Sequence, residues 1–537
     1  MYVTEVPNRN SPPAILLRES FREAGKVKNR TIANLTKWKP ERIEALKRAL
    51  RGDFDDLIPL SDFQMDRVFG LLYALKRLAE KLGITKALGK SAMGKLALFL
   101  VLARVAHQGS RYSAARWAQE HCVAEVLGLE SFDENHLYAA LDWLSCNQEE
   151  IEHRLYQDYV KRSGSPPALV LYDVTSSYVE GECNELAAFG YNRDKKKGKK
   201  QIVIGLLTSD DGEPLAVRVF EGNTSDPKTV KEQIHTLKNS FGIKDVIFVG
   251  DRGMVKTKGK QALRDEGFKY ITALTNSQAR KLLKQQVIQI GLFDTEVCQV
   301  QHGSLRLILR KNPATADKEN RRRNDKLDKL IHLVTERNDF VRQSKRADAE
   351  AGMRRIEAWS VRHKVNNWVC LELEDRLIKV TVDEDAKADA ALLDGCYILE
   401  TDVDCDVMSP KTVDQRYRDL HMVERNFRRI KTGLLEIRPV YVRKSDRTRG
   451  HVLATMMALK IVRETERLLK NALPTTPDDI HTCTVQDVLH SLSRVCLLSC
   501  STDQGTVFQL PKLDEHQKTI FTALHIRPPK FSGSSPL

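Results

Sequence analysis

The sequence lacks a hydrophobic run long enough to cross a bilayer. Its longest apolar stretch, Leu96–Ala103, is closed by Lys95 and Arg104 and falls far short of the roughly 20 apolar residues of a membrane-spanning helix. The N-terminal segment Met1–Asn10 also lacks a cationic start followed by an apolar core, so we expect no secretory signal. These absences predict a cytoplasmic protein without a membrane partner, in which Leu96–Ala103 is a buried helix.

Paired cysteines are missing as well. The ten cysteines include no CxxC pair, and Cys496 and Cys500, the nearest two, have no matching His or Cys pair at zinc-finger spacing. This argues against a zinc finger. We expect reduced, mostly buried thiols, as in cytoplasmic proteins.

The charge is unbalanced, with 86 lysines and arginines against 72 aspartates and glutamates and a formal net charge of +14. Such an excess favours a polyanionic partner such as nucleic acid, because cationic side chains neutralise phosphates. A basic soluble enzyme is the plain alternative. With 41% hydrophobic and 29% charged residues the chain has the composition of a globular protein. Its length of 537 residues predicts roughly three or four domains.

Apolar residues recur at helical spacing between about residues 62 and 162. Phe69, Leu72 and Leu75, for example, follow one another at three-residue steps, which predicts helices. Ser163–Pro167 then stacks helix-breaking residues and predicts a linker. The helical region is as compatible with a plain scaffold as with DNA binding; a helix-turn-helix stays open for it, but the sequence does not mark the turn.

After the linker the apolar period becomes that of strands. The predicted elements are, in order, a strand Ala168–Thr175, a hairpin of Gln201–Thr208 and Pro214–Glu221, a helix Thr229–Phe241, and strands Val246–Val249 and Tyr270–Leu274. An antiparallel meander followed by strands joined through helices predicts an α/β fold with a ribonuclease-H-like core, that is, a mixed sheet with flanking helices.

Two aspartates lie toward the ends of these apolar strands. Asp173 interrupts the first strand, where a charge needs a partner or an ion because its burial alone is too costly. Asp251 comes just past Val246–Val249. Carboxylates held rigidly in this way can bind two divalent ions about 3.5–4 Å apart for phosphoryl transfer. Taken singly, each is better explained as a turn aspartate at a strand end.

A third carboxylate lies on an amphipathic helix predicted over Lys411–Thr432. Tyr417, Glu424 and Lys431 are spaced by seven residues, so they project at nearly the same angle. Apolar side chains lie on or beside that face, namely Leu420, Val423, Phe427 and Ile430. Glu424 is therefore predicted on the packed side of the helix.

Several short motifs occur in a fixed order along the chain. They are Asp173–Thr175, Gly222–Asp226, Gly250–Gly253, Asp394–Tyr397, the Tyr417, Glu424 and Lys431 series, Leu435–Tyr441 and Arg449–His451. Together, over about residues 168–470, they resemble the motifs of bacterial insertion-sequence DDE transposases with the Tyr-Arg-Glu-Lys signature. The arginine position of that signature holds Leu420, so either this phosphate contact is absent or Arg416, Arg418 or His421 supplies it.

The resemblance implies a transposase that binds the ends of an insertion sequence and catalyses metal-dependent DNA strand cleavage followed by strand transfer. It implies that Asp173, Asp251 and Glu424 are catalytic and hold two divalent ions, Mg²⁺ or Mn²⁺. DNA contacts are assigned to Tyr417, Lys431, Arg252 and Arg428. The expected partners are the terminal inverted repeats and target DNA, bound by a dimer or higher oligomer in a bacterial cytoplasm, at the nucleoid.

The predicted domain layout follows from these observations. It comprises a basic arm or small subdomain (1–60), a helical, DNA-binding region (61–165), the catalytic core in two parts (166–276 and 393–475), a strand-rich insertion domain (277–392), and a C-terminal helical region with a mobile tail (476–537). Two rival functions stay open. One is a nuclease on the same core without strand transfer, and the other is a domesticated, non-catalytic DNA-binding protein.

Four further features have two interpretations each. Asp226 is either a support for the site or a turn residue, and for Asp394 a turn is favoured. Trp359 and Trp368 could stack on a flipped base, but core packing is favoured. The basic run Arg193–Lys200 is either a solvated loop or a phosphate contact.

Overall fold

The computed structural model describes residues 1–8, 12–53, 64–191, 193–194, 196–252, 254–294, 296–344, 346–472, 483–502, 505–530 and 532–535. The chain divides into two compact units. The first comprises Met1–Arg67, Val495–Leu513 and Pro529–Leu537, and the second comprises Val68–Arg494 and Asp514–Pro528. Among the described helices, none is both long and apolar enough to cross a membrane.

The strands are β1 (Tyr2–Val6), β2 (Ala14–Glu23), β3 (Lys26–Asn34), β4 (Gln64–Val68), β5 (Leu169–Tyr178), β6 (Gln201–Ser209), β7 (Pro214–Glu221), β8 (Ile247–Gly250), β9 (Lys269–Ala273), β10 (Cys298–His302), β11 (Leu305–Lys311), β12 (Val369–Glu374), β13 (Leu377–Val382), β14 (Cys396–Thr401), β15 (Cys496–Thr502), β16 (Gly505–Gln509) and β17 (Ser532–Ser535).

The α-helices are α1 (Pro40–Leu50), α2 (Gly70–Lys81), α3 (Ile84–Leu88), α4 (Ala92–Ala106), α5 (Arg111–Gln119), α6 (Val123–Leu127), α7 (Glu134–Cys146), α8 (Gln148–Ser163), α9 (Asp226–His235), α10 (Thr257–Asp265), α11 (Asn276–Lys284), α12 (Pro313–Gln343), α13 (Ala349–His363), α14 (Glu384–Ala391), α15 (Pro410–Arg418), α16 (His421–Lys431), α17 (Ser445–Ala472), α18 (Val485–Ser493) and α19 (Glu515–Ala523). A wider π-helical turn continues α9 over Thr236–Ser240, and a 3-10 turn spans Ile290–Asp294.

The first unit contains two sheets. One is the antiparallel sheet β1-β2-β3, and the other has the order β17-β16-β15-β4. The described residues between 1 and 53 therefore form a sheet and a helix. The prediction of a helical C-terminal region with a mobile tail is wrong in part, because β15, β16 and β17 are strands; Pro536, the end of the predicted tail, lies outside the described residues.

The second unit contains an eight-stranded sheet in the order β10-β11-β14-β9-β8-β5-β6-β7. Strands β5, β6 and β7 are antiparallel neighbours, whereas β8 is parallel to β5 and β9 is parallel to β8. An antiparallel meander whose first strand continues into two parallel strands is the ribonuclease-H-like arrangement that the sequence predicts. Strands β10, β11 and β14 extend this sheet beyond β9.

Helix α17 organises the helical region. It is buried over most of its length and packs against α4, α7 and β7. At Gly450 a Cβ would lie 2.0 Å from the carbonyl oxygen of Leu141, so only glycine allows α7 to approach this closely. Leu96–Ala103 is buried within α4, as predicted. This packing favours the scaffold interpretation of the helical region.

The segment predicted as a strand-rich insertion is mainly helical. Its largest element is α12, a 31-residue helix that buries only Leu330, Val334 and Val341. So sparse an apolar pattern has little helical periodicity in the sequence, which is why the prediction is wrong here. Helices α12 and α13 share a core with β12 and β13; Trp368 is buried in it and Trp359 packs against it, as favoured.

The expectation about the cysteines is correct only in part. In the part of the chain that the structure describes, the ten cysteines form no disulfide; three of them, Cys122, Cys496 and Cys500, are buried, and four others are exposed. The expectation of mostly buried thiols is therefore wrong.

Candidate active site

Asp173 projects from the middle strand of the ribonuclease-H-like core. Its strand neighbours Tyr172 and Val174 point into the hydrophobic core on one face of the sheet, so the alternation of a strand directs Asp173 to the opposite face. Its Oδ1 accepts a hydrogen bond of 2.7 Å from the backbone N–H of Val174.

Asp251 lies beside Asp173 on the neighbouring parallel strand. The register of the two strands pairs Tyr172 with Gly250. Because Asp173 follows Tyr172 and Asp251 follows Gly250, the two aspartates are next to each other. The hydroxyl of Tyr417 donates a hydrogen bond of 3.0 Å to Oδ1 of Asp251. Gly253, the last residue of this predicted motif, lies outside the described residues.

Glu424 lies in the first turn of α16. The predicted single helix Lys411–Thr432 is interrupted at Asp419 and Leu420, which separate α15 from α16. Leu420, Val423, Phe427 and Ile430 are buried, as predicted. Glu424 itself is exposed, so the expectation that it belongs to the packed side is wrong. It stands at the edge of that face, where α16 packs on β5.

One cavity joins the three carboxylates. It has a volume of about 330 Å³ and is lined by Asp173, Asp251, Arg252, Asn312, Tyr397, Tyr417, Arg418, Leu420, His421 and Glu424. The pKa of Asp173 is raised from its ordinary value to about 7, chiefly by burial and also by the charges of Asp251 and Glu424. The N–H of Val174 and the guanidinium of Arg193 oppose this rise. The site is therefore rich in negative charge that protein groups do not fully compensate.

The predicted DNA-contact residues have different environments. Arg252 lines the cavity and donates to Oδ1 of Asn276 at 3.3 Å, and Arg428 is exposed on α16. Tyr417 is engaged with Asp251. Lys431 is not among the lining residues; its side chain is 12% exposed and pairs with Asp194 at 2.7 Å. The polar groups of Tyr417 and Lys431 are therefore bound to Asp251 and Asp194, respectively, and are not free to contact a phosphate.

The three residues that could replace the missing signature arginine differ in their access to the cavity. Arg418 and His421 line the cavity, whereas Arg416 pairs with Asp419 at 3.1 Å, away from it. Arg418 pairs with the buried Asp414 at 2.8 Å. Arg418 and His421 are thus the residues positioned near Leu420 with access to the cavity.

Two cavity residues were not singled out from the sequence. Tyr397 belongs to the Asp394–Tyr397 motif, and its hydroxyl donates to Asp414, which also accepts from Arg310. Asn312 caps α12 by accepting from the N–H of Thr315. The motif containing Tyr397 was the available signal. Asn312 gave no signal, because α12 was not predicted.

The two undecided aspartates both form ion pairs. Asp226, at the start of α9, accepts from Nη2 of Arg193 at 2.7 and 2.8 Å. Since Arg193 also acts on Asp173, Asp226 is linked to the site through Arg193. Asp394 lies in a turn and pairs with Arg323 at 2.6 Å. Within the basic run 193–200, Lys195 lies outside the described residues.

The three carboxylates are suitable ligands for a divalent cation, but they lie too far apart to form a ready-made metal site. Carboxylate oxygens are the ligands that Mg²⁺ and Mn²⁺ prefer, and the raised pKa of Asp173 marks negative charge that a cation would offset. Among the described residues, however, no three His, Cys, Asp or Glu side chains converge closely enough to form a metal-binding cluster. The side chains of Asp173, Asp251 and Glu424 line one cavity but do not meet at a single point.

Comparisons with known proteins agree with this geometry. The model of the transposase DDE domain family matches residues 164–461, more than half of the chain, and that of the IS1634 family transposase N-terminal domain matches residues 3–57. A solved structure described as a piggyBac transposase synaptic complex with hairpin DNA is 10% identical, with 80% of this chain and 69% of that chain covered and a TM-score of 0.33. Among curated proteins none matches. The chain therefore belongs to the transposase DDE domain family and is a DDE-type DNA transposase, an enzyme that acts on DNA with divalent metal ions.

Proposed function

We propose that this transposase binds the terminal inverted repeats of an insertion sequence, cleaves DNA strands there and joins the freed ends to target DNA. Asp173, Asp251 and Glu424 are the proposed catalytic residues. The observation that carries this assignment is their common cavity: three carboxylates from distant parts of the chain line it together, and two of them raise the pKa of the third. Such an arrangement destabilises the protein without a cation, so function is the better reason for it.

The three carboxylates would hold two divalent ions, Mg²⁺ or Mn²⁺. Bound there, the ions would activate the attacking oxygen and stabilise the leaving oxygen of a phosphoryl transfer. Tyr417 holds Asp251 in place through its hydroxyl, and Arg193 offsets part of the charge around Asp173. Each of these side chains would keep a carboxylate positioned before DNA arrives.

Arg252 and Arg428 are the proposed DNA contacts. Arg252 lines the cavity, where its guanidinium would bind phosphate oxygens next to the scissile bond. Arg428 is exposed on α16, on the helix that carries Glu424. We also propose that the protein acts as a dimer or higher oligomer on DNA, which mass photometry with and without the two ends would test.

The DNA that flanks the gene supplies the test substrate. The purified protein, Mg²⁺ and a duplex with the flanking inverted repeats should yield nicked or cleaved ends and, with a supercoiled plasmid, joined products. Asp173→Asn, Asp251→Asn and Glu424→Gln should each lower the cleavage rate by about 10³-fold or more, because metal-site carboxylates act as a unit. Asp245→Asn, an exposed aspartate in the loop before β8, is the matched control and should keep full activity.

The rival functions give different products. Cleavage without joined plasmid would establish a nuclease, and binding without cleavage a domesticated DNA-binding protein. A variant of the three carboxylates that retained more than a few per cent of the wild-type rate would remove that residue from the catalytic set.

A further inference from the structure

A second, larger cavity lies between α16 and α17 in the second unit. It has a volume of about 690 Å³. Five of its lining side chains are cationic, Arg425 and Arg429 on α16 and Arg463, Arg467 and Lys470 on α17, whereas two, Asp211 and Glu466, are carboxylates. We call this cavity the arginine cleft. Its walls carry more positive than negative charge.

Helical spacing explains the two cationic walls. Arg425 and Arg429 are four residues apart, as are Arg463 and Arg467, and Lys470 follows three residues later. Residues three and four apart share one face of a helix. Each helix therefore presents a stripe of positive charge, and the two stripes line the same cavity. Facing stripes of like charge repel each other unless an anion lies between them.

Carboxylates offset only part of this charge: Glu464 binds Arg467 through both of its oxygens at 2.7 and 2.8 Å, and Asp211 and Glu466 line the cleft. Glu466 binds Arg429 through both of its oxygens and lies 4.0 Å from Arg425. Arg463 donates to two neutral acceptors, Oδ1 of Asn426 at 3.0 Å and the backbone carbonyl of Asp211 at 2.9 Å. Burial lowers the pKa of Arg463 although Asp211 opposes this, and the neighbouring Arg429 lowers it further. An additional anion would reduce the repulsion between these cationic side chains.

The arginine cleft adjoins the catalytic cavity. His421, the first residue of α16, lines both cavities, and Glu424 lies one turn further along the same helix. A linear polyanion that places one phosphate at the carboxylates could therefore continue over His421 into the cleft.

We propose that the arginine cleft binds the phosphodiester backbone of the DNA strand next to the cleavage site. The choice of DNA as the partner rests on the proposed function. The cleft would contribute affinity through phosphate neutralisation, without reading base sequence.

The first test removes one exposed cation from each wall. Arg425→Gln/Lys470→Gln changes two exposed side chains that no buried partner depends on, and Lys228→Gln/Lys231→Gln on α9 is the control of equal charge. Residue Val230 of α9 packs in the core on the sheet face opposite Asp173, so this control lies away from the cleft. The probe is a fluorescein-labelled duplex that carries one flanking inverted repeat, with binding measured in EDTA over a range of salt.

Each lost phosphate contact lowers the slope of log affinity against log salt by about 0.9 for duplex DNA. The cleft variant should therefore lose about 1.8 from the slope, and the α9 variant should match the wild type. An unchanged slope in the cleft variant, or an equal loss in both variants, would overturn the proposal.

The second test uses Cys483, which lines the arginine cleft. The same duplex should slow its alkylation by iodoacetamide severalfold, whereas the exposed Cys146 should react at an unchanged rate. Equal protection of both thiols, or full protection of Cys483 by inorganic phosphate alone, would overturn the assignment to DNA. Because this readout needs no cleavage, protection in a protein that does not cut would refute the proposed catalysis but keep the cleft.

Discussion

The hydroxyl of Tyr417 donates a 3.0 Å hydrogen bond to Oδ1 of Asp251, which joins α15 to the strand end that carries a proposed metal ligand. Burial raises the pKa of Tyr417, and the charge of Asp251 raises it further, so the phenol stays protonated and remains a donor. Tyr417 is therefore a positioning residue for Asp251.

We expect Tyr417→Phe to weaken metal binding. Loss of a hydrogen bond to a metal ligand costs about 10–100-fold in metal affinity or activity, so cleavage should fall at low Mg²⁺ and recover as Mg²⁺ is raised. Duplex binding in EDTA should not change. A Mg²⁺ titration measures the cleavage rate at low and at high Mg²⁺. Tyr441→Phe, at an exposed tyrosine, is the control. Weaker binding in EDTA would show instead that Tyr417 contacts a phosphate.

The pKa of Asp173 predicts how stability depends on pH in the absence of metal. Its folded pKa of about 7 lies above its ordinary value of 3.8, so the folded state binds more protons between these values. The free energy of unfolding should therefore decrease as pH rises from about 4 to about 7, and then level off.

Asp173→Asn should remove this dependence, because the amide carries no charge and can still accept from the N–H of Val174. In EDTA at pH 8 we expect the variant to be more stable than the wild type by at most about 4 kcal/mol, with little difference at pH 4. Urea unfolding at both pH values measures this, with Asp245→Asn as the control. Mg²⁺ should stabilise the wild type but not the variant. An equal effect of Asp173→Asn at both pH values would contradict the raised pKa.

The spacing of apolar residues along the chain correctly predicted the strands of the catalytic core. Strands β5, β6, β7 and β8 begin and end within a few residues of their predicted bounds, because alternating or continuous apolar runs belong to buried strands. The buried face of α16 was predicted for the same reason. The interruption at Asp419 and Leu420 was not predicted, because the helical spacing of apolar residues continues past both positions.

Long-range polar contacts were beyond a pattern-based prediction. Lys431 and Asp194 are 237 residues apart, and the basic run that contains Asp194 indicated only a solvated loop or a phosphate contact. The common cavity of Asp173, Asp251 and Glu424 is equally long-range, but the order of the family motifs pointed to these three residues. Composition and periodicity alone did not.

A buried ion pair beneath the hairpin of β6 and β7 should dominate stability in this region. Lys460 of α17 is 2% exposed and binds Glu213 as well as the carbonyl oxygen of Pro214. Burial would raise the pKa of Glu213, but Lys460 and Arg162 outweigh it and hold the pKa at about 2. Glu213 therefore stabilises the fold above its ordinary pKa of 4.5, and this contribution is lost as pH falls toward 2.

Glu213→Gln should cost about 3–5 kcal/mol at pH 7, because it leaves the Lys460 charge buried without its partner. The double variant Glu213→Gln/Lys460→Met should recover much of this loss, since no charge is then buried. Urea unfolding of the two single variants and the double variant measures the coupling. Additive losses would contradict a direct interaction between the two side chains.

Lys431 provides the sharpest contrast between the family signature and the geometry. The signature assigns it to DNA, whereas its ammonium and the guanidinium of Arg438 both lie 2.7 Å from Oδ1 of Asp194. This contact ties the loop that carries Arg193 to the end of α16. Burial lowers the pKa of Lys431, and Asp194 counteracts that effect.

We therefore expect Lys431→Met and Asp194→Asn to have similar consequences. Each should lower the cleavage rate, because Arg193 and Glu424 lose a common anchor, and each should leave the salt dependence of DNA binding unchanged. The double variant should be no worse than either single variant, which a double-mutant cycle of cleavage rates tests. If Lys431→Met lowers the slope of log affinity against log salt by about 0.9 while Asp194→Asn does not, Lys431 leaves Asp194 for a phosphate when DNA binds. Lys431 would then have the DNA-contacting role that the family signature implies, and its pairing with Asp194 would describe only the protein without DNA.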